Sequence, residues 1–220
     1  LKKYLLYLFL LIQAFFHSIT TNGQSALNLH LTGVGLHLGN KPNYLIYENR
    51  LDELGNFVVE PLAILTYQKF IKATRNSLQI SQGLYSDAAA QMAGFTFFSF
   101  KKKIVHSYKN VISIAIGPNL SYRKDWHTIN GYIEDKSFTV DGQWEYKWLF
   151  AAEINYYYYL GKRSDIALSL HYGYEQRTVF VTLGYRFWIN PLVHEKKCDC
   201  EKSWGFKFKD IPRKLKRIFK

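Results

Sequence analysis

The stretch from Trp144 to Leu160 is patterned with a period of two, which suits a β-strand and defeats a helix. Trp144, Tyr146, Trp148, Phe150, Ala152, Ile154, Tyr156, Tyr158 and Leu160 fall on one face, and Gln143, Glu145, Lys147, Glu153 and Asn155 fall on the other. A helix would scatter the first set around its circumference, because its repeat is 3.6 and not 2. The run is also long. About 9–11 tilted residues suffice for a strand to cross a bilayer.

The same alternation recurs along the chain. Ile112, Ile114, Ile116, Leu120 and Tyr122 alternate with Ser113, Ala115, Gly117, Asn119 and Arg123. Ile166, Leu168, Leu170 and Tyr172 alternate with Ala167, Ser169, His171 and Gly173, and Val179, Val181, Leu183, Tyr185 and Phe187 alternate with Phe180, Thr182, Gly184, Arg186 and Trp188. Leu78, Ile80 and Leu84 share a face with Gln82, and 27–38, 57–70 and 89–101 are strand-like but less regular. Gly33 and Gly35 are expected to mark a bulge in the first strand. About eight strands result. Their connections alternate in length: 71–74, 102–109 and 161–164 on one side, and the long polar segments 39–56 and 125–142 on the other. Short turns opposite longer loops is the arrangement of an outer-membrane barrel, and it places both termini in the periplasm. Connections near 85–88 and 175–178 are short where that pattern wants length.

The fold class expected is therefore all-β, an antiparallel up-and-down transmembrane barrel of about eight strands over 26–189. It is preceded by a signal peptide over 1–25 and followed by a basic periplasmic tail over 190–220. Lys2 and Lys3 lead a short apolar run from Leu5 to Ile12, and Gly23, Gln24, Ser25 and Ala26 offer small residues for cleavage. The apolar run is shorter than the roughly 20 residues of a spanning helix. Tyr (17) and Phe (16) are abundant and Met occurs once, which suits a pleated surface. The net charge of +12 is concentrated towards the C-terminus. No nucleic-acid-binding signature accompanies it, so no nucleic acid is expected as a partner.

Alternation alone does not say which face meets lipid, since a soluble exported lipocalin-like carrier alternates too. Two features point the apolar face outward. The polar face is rich in Ser, Gly, Ala, Asn and Gln, which suits a crowded lumen better than a solvated surface. Aromatics also gather at strand ends, as in the interfacial girdles of membrane barrels. Glu60, Arg123, Glu145, Lys147, Glu153, His171 and Arg186 then point inward, where charges must be paired, and a structural polar network filling the lumen is expected.

With the export signal, the run Tyr156-Tyr157-Tyr158-Tyr159-Leu160-Gly161-Lys162-Arg163 and the closing segment Leu183-Gly184-Tyr185-Arg186-Phe187-Trp188, the chain resembles the small outer-membrane barrels of the OmpA-barrel, OmpX and PorT type. The resemblance implies a non-enzymatic structural, adhesion or secretion-accessory role. It implies outer-membrane lipid and lipopolysaccharide as surroundings, and the barrel-assembly machinery as a partner reading an aromatic on the last strand. Tyr185, Phe187 and Trp188 would carry that signal, with Phe187 or Trp188 as the terminal aromatic. Unlike the family pattern, that aromatic is followed by a further segment.

A lipid A deacylase is the alternative within such barrels. Its closest local match is Ser169, His171 and Glu175 on one strand face, in the order Ser-x-His, with Gly173 where that pattern would want Ser. The seven His (17, 30, 37, 106, 127, 171 and 194) show no metal-ligand spacing, and His30 and His37 take opposite faces unless a bulge intervenes. No metal and no cofactor is expected. In the tail, Cys198 and Cys200 are a candidate disulfide, local or intermolecular. Residues 210–220 read as a short basic helix, suited to an anionic membrane surface or to a periplasmic or peptidoglycan partner, with a solvated extension as the alternative.

Overall fold

The computed structural model describes residues 24–189, apart from 40, 72–74, 108, 162 and 174–176. The expected signal region before Gln24 and the tail with Cys198 and Cys200 lie outside these residues, as does Glu175.

Among the described residues nine strands follow in order: β1 (Ser25–His37), β2 (Phe57–Phe70), β3 (Asn76–Ser86), β4 (Met92–His106), β5 (Asn110–Lys124), β6 (Thr139–Asp141), β7 (Trp144–Tyr159), β8 (Ser164–Gly173) and β9 (Thr178–Trp188). Neighbours pair antiparallel in the order β5-β4-β3-β2-β1-β9-β8-β7, and β5 pairs again with β7. That last pairing removes both free edges. Short β6 is an outgrowth, paired only to the mouth-side end of β7 (Thr139 to Tyr146). The chain is a closed eight-stranded up-and-down β-barrel.

The strands are staggered, as closure requires. A line across the ladder from Ala26 passes Gln68, Gln79 and Ser99, then Gly117, Ala151, Gly173 and Thr178, and returns to β1 at His37 instead of Ala26. At Gly117 an added Cβ would overlap the Phe98 carbonyl oxygen, so only glycine fits there.

Burial follows parity. Outward positions are apolar and open: Leu29 is 50% exposed, Ile116 60%, Phe150 67% and Leu183 63%. Inward positions on the same strands are buried and mostly polar, among them Asn28, Ser113, Asn119, Glu153, Asn155 and Thr182. The hydrophobicity is inverted relative to a protein core in water. No helix among the described residues is long and apolar enough to cross a membrane; the strands are the elements of spanning length.

Three boundaries differ from the sequence expectation. Ser25 is already paired with Lys69, so the first strand starts at residue 25 and not at 27. β3 and β4 are joined across 87–91, so residues 89–91 are connection and not strand. β4 continues to His106, so Lys102 and Lys103 are strand and not turn. Lys101 points into the lumen, where its ammonium donates to the Tyr157 hydroxyl (2.6 Å) and the Gln79 side-chain carbonyl (3.1 Å). These buried acceptors let a lysine continue an inward register.

Candidate functional site at the mouth of the barrel

The lumen is divided into three zones. At the turn end, buried Asp165 accepts from Arg186 Nε (2.7 Å) and from the Trp188 indole (2.6 Å), and the Arg186 guanidinium lies 3.5 Å from the Tyr157 ring centre. Above it runs a polar chain. Gln79 donates to Glu153 (2.6 Å), Tyr157 and Ser169 donate to Asn155 (3.2 and 2.7 Å), and His30 Nδ1 stands 3.4 Å from the Ser169 hydroxyl. An apolar layer then fills the barrel: Leu62, Ile64, Phe95, Phe97, Leu149 and Phe180, with Ala115 and Ala151 in the gaps. This layer separates the lower polar chain from the mouth. Eight strands leave an interior just wide enough for side chains, and here apolar ones occupy it.

The mouth, at the end of the long loops, is a cavity of about 390 Å³. Glu60 and Lys147 line it from the strands, Tyr85 and Phe180 are part of its wall, and Lys41, Trp126 and Phe138 come from the loops. The loops are folded. Val58, Ala88, Ala89 and Trp126 form a small core of their own beyond the barrel, against Ile46, Tyr47, Ile129 and Tyr132. Asn43 ties the two long loops together, donating to the Ile133 carbonyl (2.9 Å) and accepting from the Ile133 amide (2.7 Å).

Charges in the mouth are held in pairs. Glu60 meets His37 Nε2 at 3.0 Å. The bulge at Thr32–Val34 makes this possible, because it turns His37 to the same inner side as His30. Gly35 leaves room for it, since a Cβ there would push the Glu60 carboxylate from its place beside His37. Arg123 donates from Nε to Glu145 (2.6 Å) and from its second terminal nitrogen to the Tyr132 hydroxyl (2.9 Å). Its guanidinium lies between Trp126 (3.9 Å) and Phe138 (4.0 Å), a planar cation between aromatic faces. Lys147 reaches Asp135 at 3.6 Å.

Of the seven residues expected to form one lumen network, Glu60, Glu145, Lys147, Glu153, His171 and Arg186 are buried inside the barrel and Arg123 is half-buried. Arg123 and Glu145 pair with each other, and Glu153 and His171 are cross-strand neighbours. The rest take partners that sequence reasoning passed over: Glu60 with His37, Glu153 with Gln79, Lys147 with Asp135, Arg186 with Asp165. His171 is stacked on Phe95 (4.7 Å) and edge-on to Phe97 (5.2 Å). A readable signal existed for Lys101 and Asp165, which keep the inward parity of their strands. None existed for Asp135, which reaches Lys147 from a loop.

The hydrolase constellation does not assemble between Ser169 and His171. The serine donates to Asn155, and both side chains are enclosed in the lumen, away from lipid. On the last strand, Tyr185 and Phe187 face outward. Trp188 faces inward, fully buried and stacked on Phe70 at 5.1 Å, so Phe187 and not Trp188 is the terminal aromatic on the outer surface.

Asp125, His127 and Glu145 converge at the rim, with one ligand atom from each within 4.8 Å of the others, a grouping that the spacing of the His did not suggest. Such a set could hold a divalent cation. It is also satisfied as it stands: His127 Nδ1 lies 2.6 Å from Asp125 and 3.1 Å from Glu145, and Arg123 binds the other Glu145 oxygen. The Asp125 hydrogen bond holds the His127 imidazole above its ordinary pKa.

Asp87 joins two of the loops. It accepts from the amides of Ala89 (3.0 Å) and Gln91 (2.8 Å) and from the Trp126 indole (2.8 Å). Burial outweighs these bonds and pushes its carboxyl up to about 6. A carboxyl raised in the folded state stabilises the fold fully below the unfolded pKa, near 4, and that contribution is lost as pH rises through about 6. At roughly 1.4 kcal/mol per pKa unit, the loss is about 2–3 kcal/mol between pH 4 and 7. Asp87→Asn is therefore expected to flatten the pH dependence of urea unfolding over this window. An unchanged slope would mean that Asp87 is hydrated.

No family model and no curated protein matches the chain. Among solved structures, it is similar to the N-terminal β-barrel domain of Pseudomonas aeruginosa OprF (TM-score 0.42, 14% identity, 76% of this chain and 99% of that one). It is equally similar to Ail, the attachment invasion locus protein of Yersinia pestis, in complex with the heparin analogue sucrose octasulfate (TM-score 0.42, 14% identity, the same coverage).

Proposed function

We propose that the chain is a non-enzymatic outer-membrane barrel. Its strands span the bilayer, its turn end and both termini face the periplasm, and its mouth is displayed outward in an adhesion, structural or secretion-accessory role. The observation that carries this reading is the inverted hydrophobicity of the wall. Outward residues of all eight barrel strands form an apolar surface far larger than a monomer in water exposes. The apolar layer from Leu62 to Phe180 favours a sealed barrel over a channel. Function then resides in the folded loops, whose aromatic and charged side chains form a recessed, pre-ordered surface. Lipopolysaccharide surrounds that end, the assembly machinery inserts the barrel, and the 190–220 tail reaches a periplasmic or peptidoglycan partner.

Cell fractionation with a heat-modifiability gel tests the membrane reading. The protein is expected in the outer-membrane fraction, with mobility that shifts on boiling and little conductance in planar bilayers. A water-soluble protein with unchanged mobility would overturn the assignment, and steady channel currents would overturn the seal.

A further inference from the structure

The two ends of the barrel differ in charge in a way that the mouth does not explain. At the mouth the signs are mixed: Glu48, Glu53, Glu134 and Asp135 are exposed among Arg50, Lys124 and Lys136. At the turn end one sign dominates. Each of the three short hairpins there carries an exposed cation: Arg75 between β2 and β3, Lys109 between β4 and β5, and Arg163 between β7 and β8. Lys102 adds a fourth, exposed on the outer face of β4. Among the described residues the only acid at this end is Asp165, which is buried and engaged by Arg186 and Trp188.

The cations are spaced by the fold. The Arg75 carbonyl accepts from the Lys103 amide (2.9 Å), the Lys109 carbonyl from Tyr159 (2.8 Å), and the Arg163 carbonyl from Trp188 (2.9 Å). Each hairpin is thereby anchored to an adjacent strand, and the charges are distributed around the rim instead of meeting in one pocket. Their height is set by their neighbours. Phe100, two residues before Lys102 on the same face, is exposed on the apolar wall, as are Tyr156, Tyr158, Tyr185 and Phe187 towards this end. Aromatics of this kind mark the level where a bilayer meets water. Two residues of strand add about 7 Å, or less along a tilted axis, which brings Lys102 to headgroup depth.

We infer that the turn-end rim is a collar for the phosphate groups of anionic glycerophospholipids in the leaflet it faces. The inference rests on the membrane reading above. Arginine offers phosphate a planar two-pronged donor and lysine a point charge, and a ring of both suits several mobile headgroups better than one bound ligand. Among the described residues no exposed carboxylate on the rim competes for them. Basic clusters at a membrane surface attract anionic lipid in this way, over the short range that salt allows.

The test uses the full chain refolded into vesicles of equal parts phosphatidylcholine and phosphatidylglycerol. The protein is then extracted in mild detergent and its retained lipids are counted by mass spectrometry. Phosphatidylglycerol is expected to be enriched about three- to tenfold. The combined Arg75→Gln, Lys102→Gln, Lys109→Gln and Arg163→Gln variant is expected to lose that enrichment. A mouth-end control, Arg50→Gln with Lys124→Gln and Lys136→Gln, keeps it. Should the fourfold variant fail to insert, the two halves, Arg75 with Lys102 and Lys109 with Arg163, each give a partial loss. Enrichment that survives the rim substitutions, or falls equally in the control, overturns the collar. So does displacement by inorganic phosphate beyond that by sodium chloride at matched ionic strength, which would make the site one for free phosphate. A heat-modifiable barrel with no lipid preference removes the collar alone. A wild-type chain that never becomes heat-modifiable in vesicles removes the membrane reading and the collar together.

Discussion

Asp165→Ala is expected to destabilise the inserted barrel by about 3–5 kcal/mol, the usual cost of leaving one member of a buried ion pair behind. Asp165 and Arg186 are both almost wholly inaccessible, and the carboxylate also accepts from the Trp188 indole. Without it the guanidinium remains on Tyr157 and Trp188, near Lys101 and Lys103, with no acid among the described residues of that end to balance it. Removing both charges is far cheaper. Asp165→Ala with Arg186→Met should recover most of the loss, because an apolar side chain of similar length fills the place without a charge to solvate. Urea unfolding in vesicles, followed for the wild type, both single variants and the double, gives the coupling. If Asp165→Ala alone costs less than about 1 kcal/mol, water reaches the pair and the turn end is not a dry plug.

Ile116→Lys and Leu168→Lys are expected each to cost about 2–4 kcal/mol, the penalty for a cation on the lipid face near mid-membrane, and to deplete the heat-modifiable form. Both side chains face outward from the middle of their strands, and they are 60% and 47% exposed. The control is Ile133→Lys, on the 125–143 loop, where isoleucine is 56% exposed but lies beyond the barrel wall. The sign decides between environments. In water all three changes are mild and improve solubility, whereas in a bilayer only the loop change is mild. Equal effects at Ile116 and Ile133 would mean that no bilayer covers the wall.

Period-two patterning was enough to read the strands and their facing, because a strand sends successive side chains to opposite sides whatever it packs against. Trp148 and Phe150 face outward, and Glu145, Lys147 and Arg186 inward, for that local reason. Even the bulge was legible, since the two glycines near Thr32 break the register of an otherwise regular strand. Lys102 and Lys103 misled because consecutive lysines resemble a turn, while the β5 residues that pair with them, Ile114 and Ser113, lie across a connection.

Partners inside the lumen were a different matter. Parity lists which side chains enter the barrel but says nothing of height. Height depends on the stagger of eight strands, which exists only once β5 meets β7. Glu60 therefore pairs with His37 and not with an arginine, Glu153 with Gln79, and Lys147 with Asp135. The mouth depends still more on tertiary structure, because Asn43, Asp87 and Trp126 come from three different connections and no local period relates them. The sequence by itself determined the strands, their facing and the inverted hydrophobicity, all of which are properties of neighbours along one chain. The tertiary structure alone decided the ion pairs, the apolar seal, the loop-end cavity and the ring of cations at the turns, because each depends on the register between strands.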